Sequence, residues 1–321
     1  MRTTGQRVAL IVATIVLLLA GVMHQVFRRD LSVRYESIAH GSALVETRCG
    51  PVETAEAGSG RPLLVVHGSG GGFDQAMLLG SDFVRRGWHV IAPSRFGYLR
   101  TPFPADASAQ AQADQFACLL DALGVVRVAV IGISAGANSA MQFAIRYPER
   151  TAALALLVPA AYKPSEAKPP ARFARLREQA LMTIVGSDFA FWIATRLAHD
   201  SAVRLVLATP PELLQAASAE EKQRVDRLLD TILPISARSQ GLLNDTRLAG
   251  HPSRYELEAI RSPTVIISLR DDLYGTYAAA EYTARHVAGA RFIGFDEGGH
   301  VWIGHHAQIL EQTDAFLRAA P

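Results

Sequence analysis

Lysine is almost missing: three lysines stand against 29 arginines, and charged residues of all kinds make up only 19% of the 321 residues. So strong a preference for arginine fits a GC-rich, bacterial coding sequence. The formal net charge is +2 and the basic residues are scattered, so no stripe exists that could track a phosphate backbone. Nucleic acid is therefore not expected as a partner. Cysteine is equally scarce. Cys49 and Cys118 form neither a C-x-x-C pair nor a disulfide framework, and their spacing leaves open whether they meet. No H-E-x-x-H occurs, and His300, His305 and His306 lack metal-ligand spacing, so no metal is expected. The glycine-rich stretch 67–74 lacks the Lys-Ser/Thr that completes a phosphate-binding loop, so no nucleotide cofactor is expected either. No internal repeat is visible. What is abundant is apolar material, 49% of the chain, which suffices for one large α/β core and rules out a disordered chain.

The longest apolar run is at the N-terminus. "VALIVATIVLLLAGVM" (8–23) has no charged residue, and its apolar character extends across His24 and Gln25 to Val26 and Phe27. About 20 such residues span a bilayer as a helix. Arg2 and Arg7 precede the run and Arg28 and Arg29 follow it, so the positive-inside cue nearly cancels. No A-x-A pattern stands before Gln25, and no cysteine follows that could carry a lipid. Residues 1–30 are therefore expected to be an uncleaved membrane anchor, with a cleaved signal segment and export as the alternative. A polar tether is expected over 28–40.

Beyond the tether, strand and helix patterns alternate. "SALVETRCGPVETAEAG" (42–58) reads as two short strands turning at Gly50-Pro51. "RPLLVVHG" (61–68), "WHVIAPS" (88–94), "VRVAVIG" (126–132), "TAALALLVPA" (151–160), "PTVIISL" (263–269) and "RFIGF" (291–295) read as strands. The continuous apolar runs among them suit strands buried on both faces. Helical patterns fall between these runs at 74–86, 107–123, 135–146 and 278–287, and one more closes the chain at 307–320. Repeated βαβ units close naturally as a mostly parallel, doubly wound sheet with helices on both faces. The alternation breaks over 161–250, where a proline-rich stretch leads into helix-only patterns at 180–198 and 218–233. Ser218 and Glu221 there form a capping-box pair. The division expected is a core in two parts, 31–160 and 251–321, interrupted by a helical insertion at 161–250 that either packs on the core or forms a lid lining an apolar pocket.

The chemistry centres on "VAVIGISAGANSA" (128–140). Gly132-Ile133-Ser134-Ala135-Gly136 matches G-x-S-x-G between a strand and a helix, the setting of a nucleophile elbow. A side chain two positions to either side of Ser134 would collide with the crossing strand or helix. A serine hydroxyl needs a base, and the base needs an orienting acid. In the chain order Ser, acid, His expected on this architecture, His300 of "FDEGGH" is the base. The acid is Asp272 of "SLRDDLYG", with Asp271 as the alternative. No carboxylate follows the earlier strand "ALALLVPAAY", and His305 and His306 read as the surface of a helix N-terminus. Oxyanion donors are assigned to the backbone N–H of Ser69, in the glycine-rich loop after the strand "PLLVV", and of Ala135, directly after the serine. His67 is expected to hold that loop in place.

With these pieces assembled, the chain resembles the α/β-hydrolase superfamily in its lidded single-domain form. "VVHGSGGGFD", "VIAPSRFGY", "VIGISAGA", "PTVIISLRDD" and "FDEGGHVWIGHH" occur in family order from about residue 42 to the C-terminus. Departures are Ser268-Leu269, where many members carry a glycine, and Ser94, where many have an aspartate. The resemblance implies hydrolysis of a small-molecule carboxylic ester through an acyl-serine intermediate, with no cofactor. Serine at the elbow argues against the dehalogenase and epoxide hydrolase branches, which use aspartate there. "HGSGGG" is also similar to the loop of hydrolases that cleave carbon–carbon bonds, although Gly71 replaces their usual proline. C–C hydrolysis, acyl transfer, cofactor-free peroxidase chemistry and non-catalytic ligand binding remain alternatives.

Overall fold

The computed structural model describes residues 4–164, 186–250 and 252–320. Part of the expected insertion, including the start of the helical pattern at 180–198, lies outside the described residues. Eight strands form one sheet: β1 (Ala43–Val45), β2 (Val52–Ala57), β3 (Arg61–Val66), β4 (Trp88–Pro93), β5 (Val128–Ile133), β6 (Thr151–Leu157), β7 (Thr264–Leu269) and β8 (Arg291–Phe295). Their spatial order is β1-β2-β4-β3-β5-β6-β7-β8. The β1–β2 hairpin and the β2–β4 pairing are antiparallel, and the five pairings from β4 through β8 are parallel.

The apolar runs that predicted two-sided burial divide between two cores. Leu64, Val66, Val130, Leu154, Leu156 and Ile266 point to one face. There they meet α3 (Ala109–Ala122), α4 (Gly136–Arg146) and α10 (Thr276–His286). Leu63, Val65, Ile131, Ala155, Val265 and Ile267 point to the other, against α2 (Phe73–Arg85) and α11 (His306–Ala319). The period-2 alternation of a strand thus gives each run two buried faces, at about 1.5–3 kcal/mol per large aliphatic side chain. Cys49 and Cys118 do meet, as a disulfide with Cα atoms 5.9 Å apart that fastens the β1–β2 turn to α3.

Residues 186–250 hold five further helices: α5 (Asp188–Leu197), α6 (His199–Val206), α7 (Pro211–Ala216), α8 (Ala219–Asp230) and α9 (Ser239–Gly250). They build a third apolar core from Phe191, Trp192, Val203, Leu214, Val225, Leu228 and Ile232. Ser218 caps α8 by accepting from the Glu221 N–H at 3.2 Å. The Glu221 carboxylate turns instead to Arg224 and the Gly304 N–H, so only half of the capping box is used.

The N-terminal segment differs from expectation. Instead of an anchor followed by a tether, α1 runs unbroken from Thr4 to His40, 37 residues, or about 55 Å at 1.5 Å per residue. Its apolar first half is exposed, with Val8, Leu17 and Val22 among the exposed residues, and is long and apolar enough to cross a membrane. From Phe27 onward it packs on the helical insertion. Phe27 meets Phe189 and Trp192 edge-on, Asp30 accepts from Trp192 Nε1 at 2.9 Å, and Arg34 pairs with Asp230 at 2.5 Å. The polar residues that read as a tether sit at i, i+4 spacing on one helix face, and their partners lie on α5 and α8.

Candidate active site

β5 ends at Ile133 and α4 begins at Gly136, so Ser134 stands at the turn between them. Its φ is +52°, a left-handed conformation that costs a non-glycine residue roughly 1–2 kcal/mol. The surroundings hold it there. The Ser134 N–H donates to Leu157 O at 2.9 Å, and its carbonyl accepts from the N–H groups of Ala137 and Ala160, both at 3.1 Å. The flanking glycines are dictated by contact. A Cβ on Gly132 would lie 2.5 Å from Ala140 Cβ, and one on Gly136 would lie 2.4 Å from the His67 carbonyl oxygen.

Ser134, His300 and Asp272 come together although 28 to 166 residues separate them in pairs. His300 Nε2 lies 2.9 Å from Ser134 Oγ, and Nδ1 lies 2.8 Å from Asp272 Oδ2. All three residues are buried. An ionised carboxylate only accepts, so Nδ1 carries the proton and Nε2 is left to accept from the serine. Burial pushes the Asp272 carboxyl up, but the attraction of His300 when it is protonated and hydrogen bonds from His300, Thr276 and the Tyr274 N–H outweigh it and hold the group below the usual carboxylate range. Thr276 Oγ1 donates to the same Oδ2 that His300 uses, and the Tyr274 ring stands edge-on to the His300 imidazole.

Asp271 faces away from the imidazole and has a different task. Its two oxygens accept from the N–H groups of Gly299 (2.8 Å) and Gly298 (3.0 Å), which fixes the loop that carries His300. His306 pairs with Asp82 and Trp302 at the start of α11, and His305 packs on Phe295; neither meets Ser134.

The loop after β3 passes directly over the serine, since a Cβ on Gly68 would lie 3.2 Å from Ser134 Cβ. Among the described residues, the N–H groups of Ser69 and Ala135 have no acceptor within the protein. The Ala135 N–H is at the N-terminus of the 11-residue α4, where the helix dipole favours negative charge. His67 is fully buried below this loop: Nδ1 pairs with Gly68 O at 2.7 Å, and Nε2 accepts from the Arg95 N–H at 3.0 Å. Burial and the Arg95 charge hold its pKa well below that of an ordinary imidazole, against the pull of the Gly68 carbonyl.

Glu53, Asp245 and Arg238, which surround this site, were not singled out in the sequence. Ser94, standing where an aspartate is common, donates to Glu53 Oε2 at 2.9 Å and accepts from the Phe73 N–H. The carboxylate is thus supplied by Glu53 on β2, which also takes Arg100. Asp245 and Arg238, from the helical insertion, reach into the loop after β3. Alternating polarity on a strand could have hinted at Glu53; nothing in "SQGLLNDTRLAG" marks Asp245 as buried. An open cleft of about 590 Å³ between α5, α6, α7 and α8 includes none of Ser134, Asp272 or His300.

Comparison with known proteins agrees with this architecture. Residues 61–306 match the family described as alpha/beta hydrolase fold. The uncharacterized hydrolase YcgS of Bacillus subtilis (strain 168) is 27% identical over 272 residues, 80% of this chain and 91% of its own length. A 2-hydroxymuconate semialdehyde hydrolase from Pseudomonas sp. (strain CF600) is 34% identical over 106 residues, but these span only 32% of this chain and 38% of that protein. Among solved structures, an alpha/beta hydrolase fold protein from Nakamurella multipartita superposes with a TM-score of 0.67 at 25% identity, covering 87% of this chain and 99% of that one. A family match across the sheet from β3 to the start of α11, with the helical insertion between β6 and β7, makes this chain a member of the alpha/beta hydrolase fold family.

Proposed function

We propose that the protein is a serine hydrolase that cleaves carboxylic esters through an acyl-serine intermediate, with Ser134 as nucleophile, His300 as base and Asp272 as its orienting acid. The observation that carries this reading is the continuous pair of contacts from Asp272 Oδ2 through both nitrogens of His300 to Ser134 Oγ. Ser134 Oγ bonds to the ester carbonyl carbon while its proton passes to His300 Nε2. Collapse of the tetrahedral adduct breaks the C–O bond, and the alcohol leaves with that proton. Water then gives a proton to His300 and attacks the acyl carbon, and the serine leaves with the proton as the acid is released. The N–H groups of Ser69 and Ala135 receive the oxyanion in both halves.

An apolar substrate fits the surroundings. Ile232 of the insertion lies against Gly70 of the loop over the serine, and Tyr274 stands beside His300, so the insertion acts as a lid over a medium-chain or aromatic acyl or alcohol group. Activity confined to p-nitrophenyl acetate would remove that part of the reading. The primary test is labelling with a fluorophosphonate, peptide mapping and a Ser134→Ala control. Labelling at Ser134 that disappears in the control is expected, and a folded protein left unlabelled would turn the reading toward ligand binding. The partial likeness to the 2-hydroxymuconate semialdehyde hydrolase favours a second reading, C–C hydrolysis. Turnover of that semialdehyde well above turnover of any ester would establish it.

The exposed apolar half of α1 supports anchoring in a membrane, and the Cys49–Cys118 disulfide supports a body on the oxidising side of it. Sedimentation of the full chain with membranes, and maleimide modification of both cysteines only after reduction, are expected.

A further inference from the structure

The catalytic reading leaves a cluster of buried charge without a task. Asp245, on α9, is 4% exposed and accepts from four donors: Arg95 Nη1 at 2.7 Å and Nη2 at 2.6 Å, Tyr98 OH at 2.5 Å and Ser69 Oγ at 2.9 Å. Oδ2 takes three of these donors and Oδ1 the fourth. Its partners continue into the loop over Ser134. Arg95 donates from Nε to His67 O and from Nη2 to Gly68 O, and the Tyr98 hydroxyl accepts from the Gly70 N–H at 3.2 Å. From the other side Arg238, wholly buried, donates to Gly71 O at 2.6 Å and to both oxygens of Asp74.

Positions 67 to 71 are therefore each tied down. Of the N–H groups at 68 to 71, that of Ser69 alone has no protein acceptor among the described residues. A stretch containing Gly68, Gly70, Gly71 and Gly72 has little stiffness of its own, and an oxyanion donor works only if it is aimed beforehand. Stability alone does not explain the cluster, because well-packed apolar residues often replace a buried ion pair without loss. An apolar replacement could not grip two carbonyls and the Ser69 hydroxyl.

We propose that Asp245 is a positioning residue for the oxyanion loop: through Arg95, Tyr98 and the Ser69 hydroxyl it aims the Ser69 N–H at the oxyanion, making the helical insertion and the donor one mechanical unit. The catalytic half of this rests on the serine-hydrolase reading of Ser134; the structural half does not.

Two readouts on the full chain separate them. Hydrogen–deuterium exchange of peptides covering 67–72 should quicken in Asp245→Asn, while β5 exchanges as in wild type. Per site titrated with fluorophosphonate, Asp245→Asn should lower kcat about 10–100-fold, less than outright loss of a donor, with KM held within about twofold. Binding of a trifluoromethyl ketone, which forms the tetrahedral adduct, should weaken in parallel. Tyr98→Phe removes one hydroxyl without stranding a charge, and should lower kcat about 3–10-fold in the same pattern. Should Asp245→Asn exchange fast throughout, it has unfolded and Tyr98→Phe carries the test. Unchanged exchange in 67–72 overturns the positioning role, as does wild-type kcat per titrated site or a loss confined to KM. If wild type neither labels at Ser134 nor turns over esters, the hydrolase reading fails, and the exchange arm still decides whether Asp245 holds the loop.

Discussion

The serine and the loops that face it are held by opposite means. Ser134 sits between a strand and a helix that adjoin it in sequence, and its strained φ of +52° is enforced by backbone bonds and by two glycines packed against neighbouring atoms. The loop of His300 has backbone turns of its own, with the Ile303 N–H on Gly298 O and the Trp302 N–H on Gly299 O, but it also relies on side chains. The Asp271 carboxylate holds its glycine N–H groups, Thr209 Oγ1 accepts from Val301, Arg224 donates to the Val301 carbonyl, and Glu221 accepts from Gly304. Three of these four props come from the helical insertion. Ser134 is thus held by backbone bonds and close backbone packing, whereas the loop of His300 depends in addition on side chains from distant segments. The elbow should therefore respond most to added bulk, because a Cβ on Gly136 meets backbone whereas one on Gly71 or Gly299 meets side chains, and the facing loops most to lost charge.

The largest effects should come where the two sides touch. Ser134→Ala and His300→Ala are each expected to lower kcat for a p-nitrophenyl ester by about 10⁴-fold or more, while His306→Ala, on the far side of the loop, should stay within about threefold. Equal losses in all three would mean that the base has been misplaced. The adjacent carboxylates sharpen the contrast. In Asp272→Asn the Tyr274 N–H holds the remaining oxygen at the Oδ1 position, which turns the NH2 toward His300 Nδ1 and favours the wrong tautomer, at a cost of about 10³–10⁴ in kcat. Asp271→Asn keeps one acceptor oxygen for the Gly298 and Gly299 N–H groups and should cost about tenfold at most. Steady-state kinetics on both variants decides it, and the reverse ranking would exchange their roles.

This division also explains what could be read in advance. Strand-to-helix alternation, the elbow and the order Ser134, acid, His300 are written in contiguous segments, so the sheet, the meeting of Ser134 with His300 and a choice of two carboxylates beside them were legible. What separates Asp271 from Asp272 is which way a tight turn directs each carboxylate, and periodicity carries no such information. The continuation of α1 past residue 30 was missed because Asp30 and Arg34 resemble a solvated linker until Trp192 and Asp230 stand opposite them. Asp245 was missed for the same reason: a charge in a polar helical stretch looks exposed unless its partner, here Arg95 across 150 residues, is known to be near. The disulfide closes over a separation of 69 residues and has no motif. Local geometry was readable; long-range charge pairing was not.

Bulk separates the two sides on a smaller scale. Gly136→Ala places a methyl 2.4 Å from the His67 carbonyl and 2.6 Å from that of Val66. Both obstacles are backbone, so a loss of about 3 kcal/mol is expected, the upper end for overpacking. In the facing loop, Gly70→Ala meets nothing closer than Ile232 at 3.5 Å, and bears only the strain of its φ of +74°, about 1–2 kcal/mol. Urea unfolding of the two variants measures the difference, and equal losses would show that the elbow is no tighter than the loop above it.

The mildest effect should appear in acid, and on one side only. His67 lies beneath the loop after β3, wholly buried, with Nδ1 on a carbonyl and Nε2 accepting from a backbone N–H. Both nitrogens are satisfied by the neutral ring, and burial together with Arg95 keeps its pKa well below 6.5. In the unfolded chain the same imidazole gains a proton as pH falls through about 6.5. Below that value the unfolded state binds the extra proton, so His67 contributes a loss of native stability of about 1.4 kcal/mol per pH unit until its folded pKa is reached. Urea unfolding at pH 7 and 5.5 should show this slope in wild type and in Ser134→Ala, which leaves the loop untouched. In His67→Gln, less stable at both pH values, the stability lost between pH 7 and 5.5 should be smaller by about 1.2 kcal/mol, since the unfolded imidazole takes up on average about 0.6 proton over that range. A slope unchanged by that substitution would place the acid sensitivity elsewhere and leave the loop after β3 as indifferent to pH as the elbow below it.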